Sequence, residues 1–183
     1  MRENTNIKEV NKKEKPVYVE TTLLHEVVRL AWKIVIIIVV FFLIFTFIYG
    51  VIRCEDDSMS PSIKSGDLAI NYKLEKRYVA SDVVAIKYED DKQVRRVVAV
   101  EGDTVDIAKD GLIINGALQQ EDDIYTTTNQ YKGGVSFPLT IGSGEVFVLA
   151  DNREDTIDSR IYGPVSIEDT YGKVILIIKK HNI

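Results

Sequence analysis

Cysteine is almost missing from this 183-residue chain: Cys54 is alone, so no intrachain disulfide and no cysteine-rich metal site can form. Histidine is nearly as scarce, with only His25 and His181, which argues against a multi-histidine metal centre. Basic charge is short too: 23 Lys and Arg stand against 28 Asp and Glu, a net charge of -5. A nucleic-acid-binding chain would carry a basic excess, so no nucleic-acid partner is expected. No composition bias marks the chain as disordered or collagen-like, since 45% of it is apolar and 28% charged. No cofactor and no metal is expected.

That average hides a long uncharged run. Between Lys33 and Arg53 lie 19 consecutive uncharged residues, 17 of them apolar. As a helix the run spans about 28 Å, close to the thickness of a bilayer core. It is apolar on every face, which a buried core helix of a small domain has no use for. It is also longer than the apolar region of a cleaved signal peptide, and Tyr49-Gly50-Val51-Ile52-Arg53 offers no small-x-small cleavage pair. A retained anchor is therefore expected. The division is 1–33 as a cytoplasmic N-terminal segment, 34–52 as a transmembrane helix and 53–183 as an extracytoplasmic domain. Orientation follows from charge. Arg2, Lys8, Lys12, Lys13, Lys15, Arg29 and Lys33 precede the run, and positive charge stays inside. The expectation is a cell-membrane protein, single-pass, with the lipid bilayer as one partner.

After Asp67, β-branched runs alternate with turn signals. Strands are expected at Leu68–Tyr72, Val83–Tyr88, Val94–Val100, Thr104–Ala108, Leu112–Ile114, Val146–Ala150 and Lys173–Ile178. Asp110-Gly111 and Asn115-Gly116 read as turns. The fold class is mainly β, an antiparallel β-rich domain behind one N-terminal transmembrane helix. Residues 119–138, rich in Thr, Asn, Gln and Tyr, read as a loop or small excursion.

Three polar clusters could carry chemistry. The first runs from Glu55 to Asp67 and holds Ser58, a candidate nucleophile that needs a base. The same residues also read as a solvated linker. The second runs from Val94 to Asp103 and opens with Arg95 and Arg96, which point to opposite faces of a strand; at least one needs an acidic partner. The third, Ala150 to Arg160, mixes acids, amides and arginines and suits either a solvated turn or the wall of a site.

Taken in order, the three resemble the signature boxes of the type I signal peptidases, the S26 family, in its Gram-positive form. Ser58-Met59 with Pro61 is similar to the nucleophile box, and Gly66-Asp67 follows it. Asp82-Val83-Val84-Ala85-Ile86-Lys87-Tyr88 resembles the next strand. Arg95 to Asp103 resembles the box of the catalytic lysine. Asp151-Asn152-Arg153 with Asp158-Ser159-Arg160 and Gly163 resembles the last box. The resemblance implies a membrane-bound serine endopeptidase that removes signal peptides from exported precursor proteins. Ser58 would be the nucleophile, its own N–H helping to hold the oxyanion. Asp158 and Arg160 would form a supporting ion pair, with Asn152 and Ser159 lining or buttressing the site. Signal peptides of exported precursors would be the partners.

One position departs from the family. The general base is a lysine seven residues before the Gly of Gly-Asp, and here that position is Arg95. Arginine keeps its proton and cannot serve as base. Ala150 replaces the usual glycine and Glu101 the usual proline. Three accounts stand open. Arg95 orients substrate or stabilises charge while another group takes the proton, with Asp57, Lys64 and Lys87 within reach by sequence or strand. Or catalysis is slow. Or the chain is a catalytically impaired homologue that binds or positions pilus or surface-protein subunits. A Lys, His, Asp or Glu within hydrogen-bond reach of Ser58 Oγ separates them.

Overall fold

The computed structural model describes residues 19–121, 124–154 and 156–180. It divides into two compact units, residues 1–42 and 43–183. His181 and the basic residues Arg2 to Lys15 lie outside the described residues.

A single long helix, α1, runs from Val19 to Phe47. From Thr22 to Phe47 it is long and apolar enough to cross a membrane, and every side chain over that stretch is exposed. A water-soluble helix would bury such a surface. Its ends differ from the 34–52 boundaries drawn from the sequence. The helix begins earlier, with Glu26 and Arg29 paired across one turn at 2.7 Å. It also stops earlier, because Tyr49–Arg53 form strand β1. Apolar composition alone could not separate these residues from the helix. Strand pairing and a polar hook do so. Tyr49 to Arg53 pair antiparallel with Leu68–Tyr72, strand β2. The Lys73 ammonium donates to the Thr46 carbonyl at 2.7 Å, satisfying one of the carbonyls that a helix end leaves open.

The second unit is β-rich and antiparallel throughout. Its further strands are β3 (Val83–Tyr88), β4 (Asp91–Val100), β5 (Thr104–Ala108), β6 (Gly111–Ile114), β7 (Ala117–Leu118), β8 (Leu139–Thr140), β9 (Glu145–Leu149), β10 (Val165–Ser166) and β11 (Thr170–Ile178). A one-turn helix, α2, spans Ser159–Tyr162. Seven strands form one sheet in the order β1-β2-β11-β3-β4-β9-β10, and four form another in the order β7-β6-β5-β8. All seven expected strands occur. The short β7, β8 and β10 carry too few residues to show a period, and the sequence does not mark them. Asn115 and Gly116, with φ of 54° and 81°, close the β6–β7 hairpin, as a two-residue turn of the mirror-image type requires. At the other expected turn the loop is Lys109-Asp110, and Gly111 is already paired with Ala108.

β4 organises the interior. Val94 packs with Ile52, Cys54, Met59, Ile63, Ala69 and Ala85. Val97 packs with Val84, Ile86, Val146 and Val148. Val98 and Ala99 pack with Val105, Ile107, Leu112, Phe147 and Leu149. A bulge between Val97 and Ala99 re-aims the strand, so its apolar residues serve several clusters. Full burial of a side chain the size of Phe147 contributes on the order of 1.5–3 kcal/mol.

Candidate active site

Ser58 sits in the loop between β1 and β2. The loop base is closed by Cys54 N–H to Asp67 O (2.9 Å) and Gly66 N–H to Cys54 O (2.7 Å). Gly66 has a φ of +94°, a conformation open to glycine. Met59 and Ile63 bury their side chains in the core, which fixes the loop from below. Asp67 ties it off: its carboxylate accepts from Lys64 N–H (3.0 Å) and Lys180 N–H (2.8 Å). These two donors hold the Asp67 carboxyl below its ordinary titration range.

The hydroxyl of Ser58 stands between opposite charges. It donates to Asp56 Oδ1 at 2.6 Å and accepts from Arg95 Nη1 at 2.8 Å. The Ser58 N–H also donates to Asp56 Oδ1, at 3.1 Å. The Ser58 carbonyl accepts from Asn152 N–H at 2.9 Å. Ser58 is buried, whereas Asp56 is exposed.

Arg95 is buried and is spread over neutral acceptors. Besides Ser58, it donates to Val94 O (2.7 Å) and twice to Ile157 O (3.2 and 3.0 Å). Arg96 faces the other way, as neighbours on a strand must. It makes a two-point contact with the buried Asp151, at 2.7 and 2.6 Å. The expected acidic partner thus belongs to Arg96.

The last polar cluster is a scaffold behind this centre. Asp158 caps α2 and makes a buried ion pair with Arg160, at 2.9 and 2.8 Å. It also accepts from Ala150 N–H at 3.2 Å, joining β9 to the loop. Ser159 Oγ accepts from Val148 N–H at 3.0 Å, so its part is to hold the β9 strand. In the segment 119–138, read from sequence as a loop or small excursion, Glu121, Thr128, Asn129 and Tyr131 are held by Arg153 and Arg160. Arg153 pairs with Glu121 and donates to Thr128 Oγ1, and Arg160 lies 4.6 Å from the Tyr131 ring centre and donates to Asn129 O.

Of the three bases considered from sequence, none is a partner of Ser58 Oγ. Asp57 accepts from Ser65 N–H (2.9 Å), and Lys64 and Lys87 are exposed. The group in reach is Asp56, which the sequence reading passed over. The signal was present: an aspartate bonds most readily to the backbone two residues on, which from Asp56 is Ser58. Cys54, also near, is no nucleophile. Burial pushes its thiol up to about 11, helped by the charges of Asp67 and Asp56.

A cleft leads to Ser58. β9 pairs with β4 only from Arg96 onward, which leaves residues 91–95 with an open edge beside β3. β1 is itself an edge strand. Residues 51–56 and 91–95 line one cleft between them. A second hollow, on Ser58 and Arg95, is bordered by Asn152, Glu154, Thr156 and Ile157.

The arrangement is a buried serine hydroxyl held by charged groups beside open strand edges. The family model described as signal peptidase, peptidase S26, matches residues 27–179. Signal peptidase IB of Staphylococcus aureus strain COL is 30% identical over 167 residues, covering 81% of this chain and 87% of the relative. The same enzyme of strain N315 is 32% identical over 160 residues, covering 78% and 84%. The chloroplastic thylakoidal processing peptidase 1 of Arabidopsis thaliana is 29% identical over 134 residues, 64% of this chain and 38% of that one. A solved signal peptidase I from Enterococcus faecalis V583 is 25% identical, covering 54% of this chain and 97% of that one, with a TM-score of 0.45. The chain belongs to the signal peptidase family, peptidase S26, and is a hydrolase of the serine peptidase kind. The alternative of an impaired homologue that positions pilus or surface-protein subunits gains no support from these relatives.

Proposed function

We propose that this protein is a membrane-anchored serine endopeptidase that removes signal peptides from exported precursors, with Ser58 as the nucleophile. The observation that carries the reading is the buried Ser58 hydroxyl, fixed between Arg95 at 2.8 Å and Asp56 at 2.6 Å. A guanidinium that cannot lose its proton is still useful there. It stabilises the negative charge that grows on Oγ as the hydroxyl attacks, and a buried site strengthens that effect. An extended precursor segment enters between the open edges of β1 and β4, where main-chain hydrogen bonds supply affinity. Small residues one and three positions before the cut are the expected specificity of such a site. Asp158 and Arg160 keep the rear wall rigid, and Asn152 holds the Ser58 backbone. The helix from Thr22 to Phe47 anchors the enzyme where precursors emerge, with the basic N-terminal side cytoplasmic and the β domain outside.

The test is processing of a secretory precursor by the full chain in detergent micelles, with the new N-terminus sequenced. Wild type is expected to cut after a small residue and Ser58→Ala to fall to background. Equal cutting by both overturns the assignment of Ser58.

A further inference from the structure

We infer that Asp56 is the general base of Ser58, in the role left empty by the arginine at position 95. The inference rests on the peptidase reading above. A candidate base must lie within about 2.6–3.2 Å of the proton's heavy atom, and among the described residues Asp56 is the carboxylate that bonds Ser58 Oγ, at 2.6 Å. That distance is in the range of a charge-assisted hydroxyl-to-carboxylate bond. Asp56 is exposed, so its proton can exchange with water. Among the described residues, the charged or titratable groups facing this corner are Asp91, Lys92 and Arg95 from β4, Arg53, Cys54, Glu55 and Asp57 from its own segment, and Glu154 across the hollow.

The steps balance. Ser58 Oγ bonds the scissile carbonyl carbon as its proton passes to Asp56 Oδ1, and the carbonyl π pair moves onto oxygen. Collapse breaks the C–N bond, and the proton on Asp56 goes to the departing amine. Water then attacks the ester carbon and gives a proton to Asp56. The second collapse expels Ser58 Oγ, which takes that proton back. Arg95 faces Oγ from the other side throughout and holds charge without moving a proton. The Ser58 N–H, which rests on the same Asp56 oxygen at 3.1 Å, is released to the substrate oxyanion when the precursor is bound.

The experiment measures kcat and KM against pH for wild type, Ser58→Ala, Asp56→Asn and Asp56→Glu, using the full chain in micelles and one secretory precursor. Expected is a loss in kcat of about 100-fold or more for Asp56→Asn across the pH range measured. KM stays nearly constant, Asp56→Glu recovers part of the rate, and the melting temperature is unchanged because Asp56 is exposed. An active wild type and dead Ser58→Ala, with Asp56→Asn at or above wild-type kcat or lowered through KM alone, overturn the role of Asp56 and leave the peptidase reading intact. An inert wild type overturns both.

Discussion

Four arginines lie at one end of the β domain, and they divide into two kinds. Arg96, Arg153 and Arg160 each face a carboxylate: Asp151, Glu121 and Asp158. Arg95 is as buried as Arg153 and Arg160, yet it donates to a hydroxyl and two main-chain carbonyls. In the first region charge is cancelled locally and the pairs act as struts between loops. At Ser58 the cation and the carboxylate stand on opposite sides of the hydroxyl, so their fields both act on Oγ. The difference teaches that a buried ion pair fixes architecture, whereas a buried cation opposite a hydroxyl polarises it.

The comparison breaks most visibly at Arg160. Arg160→Ala leaves Asp158 charged and unpaired in the interior, which costs about 3–5 kcal/mol. Urea unfolding of the detergent-solubilised full chain, followed by near-ultraviolet circular dichroism, reads that loss directly. If the cost is that of a surface pair, the strut description is wrong. Arg95→Met should divide the two regions next. Its stability cost is that of unsatisfied carbonyls, about 1–3 kcal/mol. Its effect on precursor cleavage is expected to be the larger one, a ~100- to 1,000-fold drop in kcat. A drop in stability matching that of Arg160→Ala, with kcat kept, would put Arg95 among the struts.

A smaller effect is expected at Gly134. A Cβ there would collide with the Arg160 carbonyl oxygen, which also accepts from Val135 N–H. Gly134→Ala must displace residues 131–135 from the arginine wall, at about 1–3 kcal/mol. Faster proteolysis within residues 119–138 checks it. The smallest effect is acid dependence. Asp67 titrates below its unfolded range, so it stabilises the fold above the ordinary carboxylate range and that contribution is lost as pH falls. Asp67→Asn should flatten the acid side of the melting-temperature profile and leave the neutral side lowered. An unchanged acid slope would mean that the two backbone donors do not favour the carboxylate.

Much of the fold was legible because its signals are local. Val83–Tyr88 and Leu68–Tyr72 carry enough β-branched and aromatic residues to mark strands, and the observed bounds are the same. The end of the anchor was not legible, since Tyr49 to Ile52 are as apolar as the residues before them. Only pairing with β2 and the Lys73 hook on Thr46 decide where helix gives way to strand. At the site, Ser58 and the Asp158–Arg160 pair could be named from boxes along the chain. Asp56 could have been preferred over Asp57 by its spacing, two residues before Ser58, but the contact of its carboxylate with the hydroxyl came only with the loop geometry.

By itself, then, the sequence determined that an apolar helix precedes an antiparallel β domain, and that Arg95 and Arg96 are neighbours on one strand. Both are properties of composition and order. The tertiary structure decided which of the two adjacent arginines meets Ser58 Oγ and which meets Asp151. Those depend on side-chain direction across strands far apart in the chain, and direction is fixed only when β4, the Ser58 loop and the arginine wall pack together.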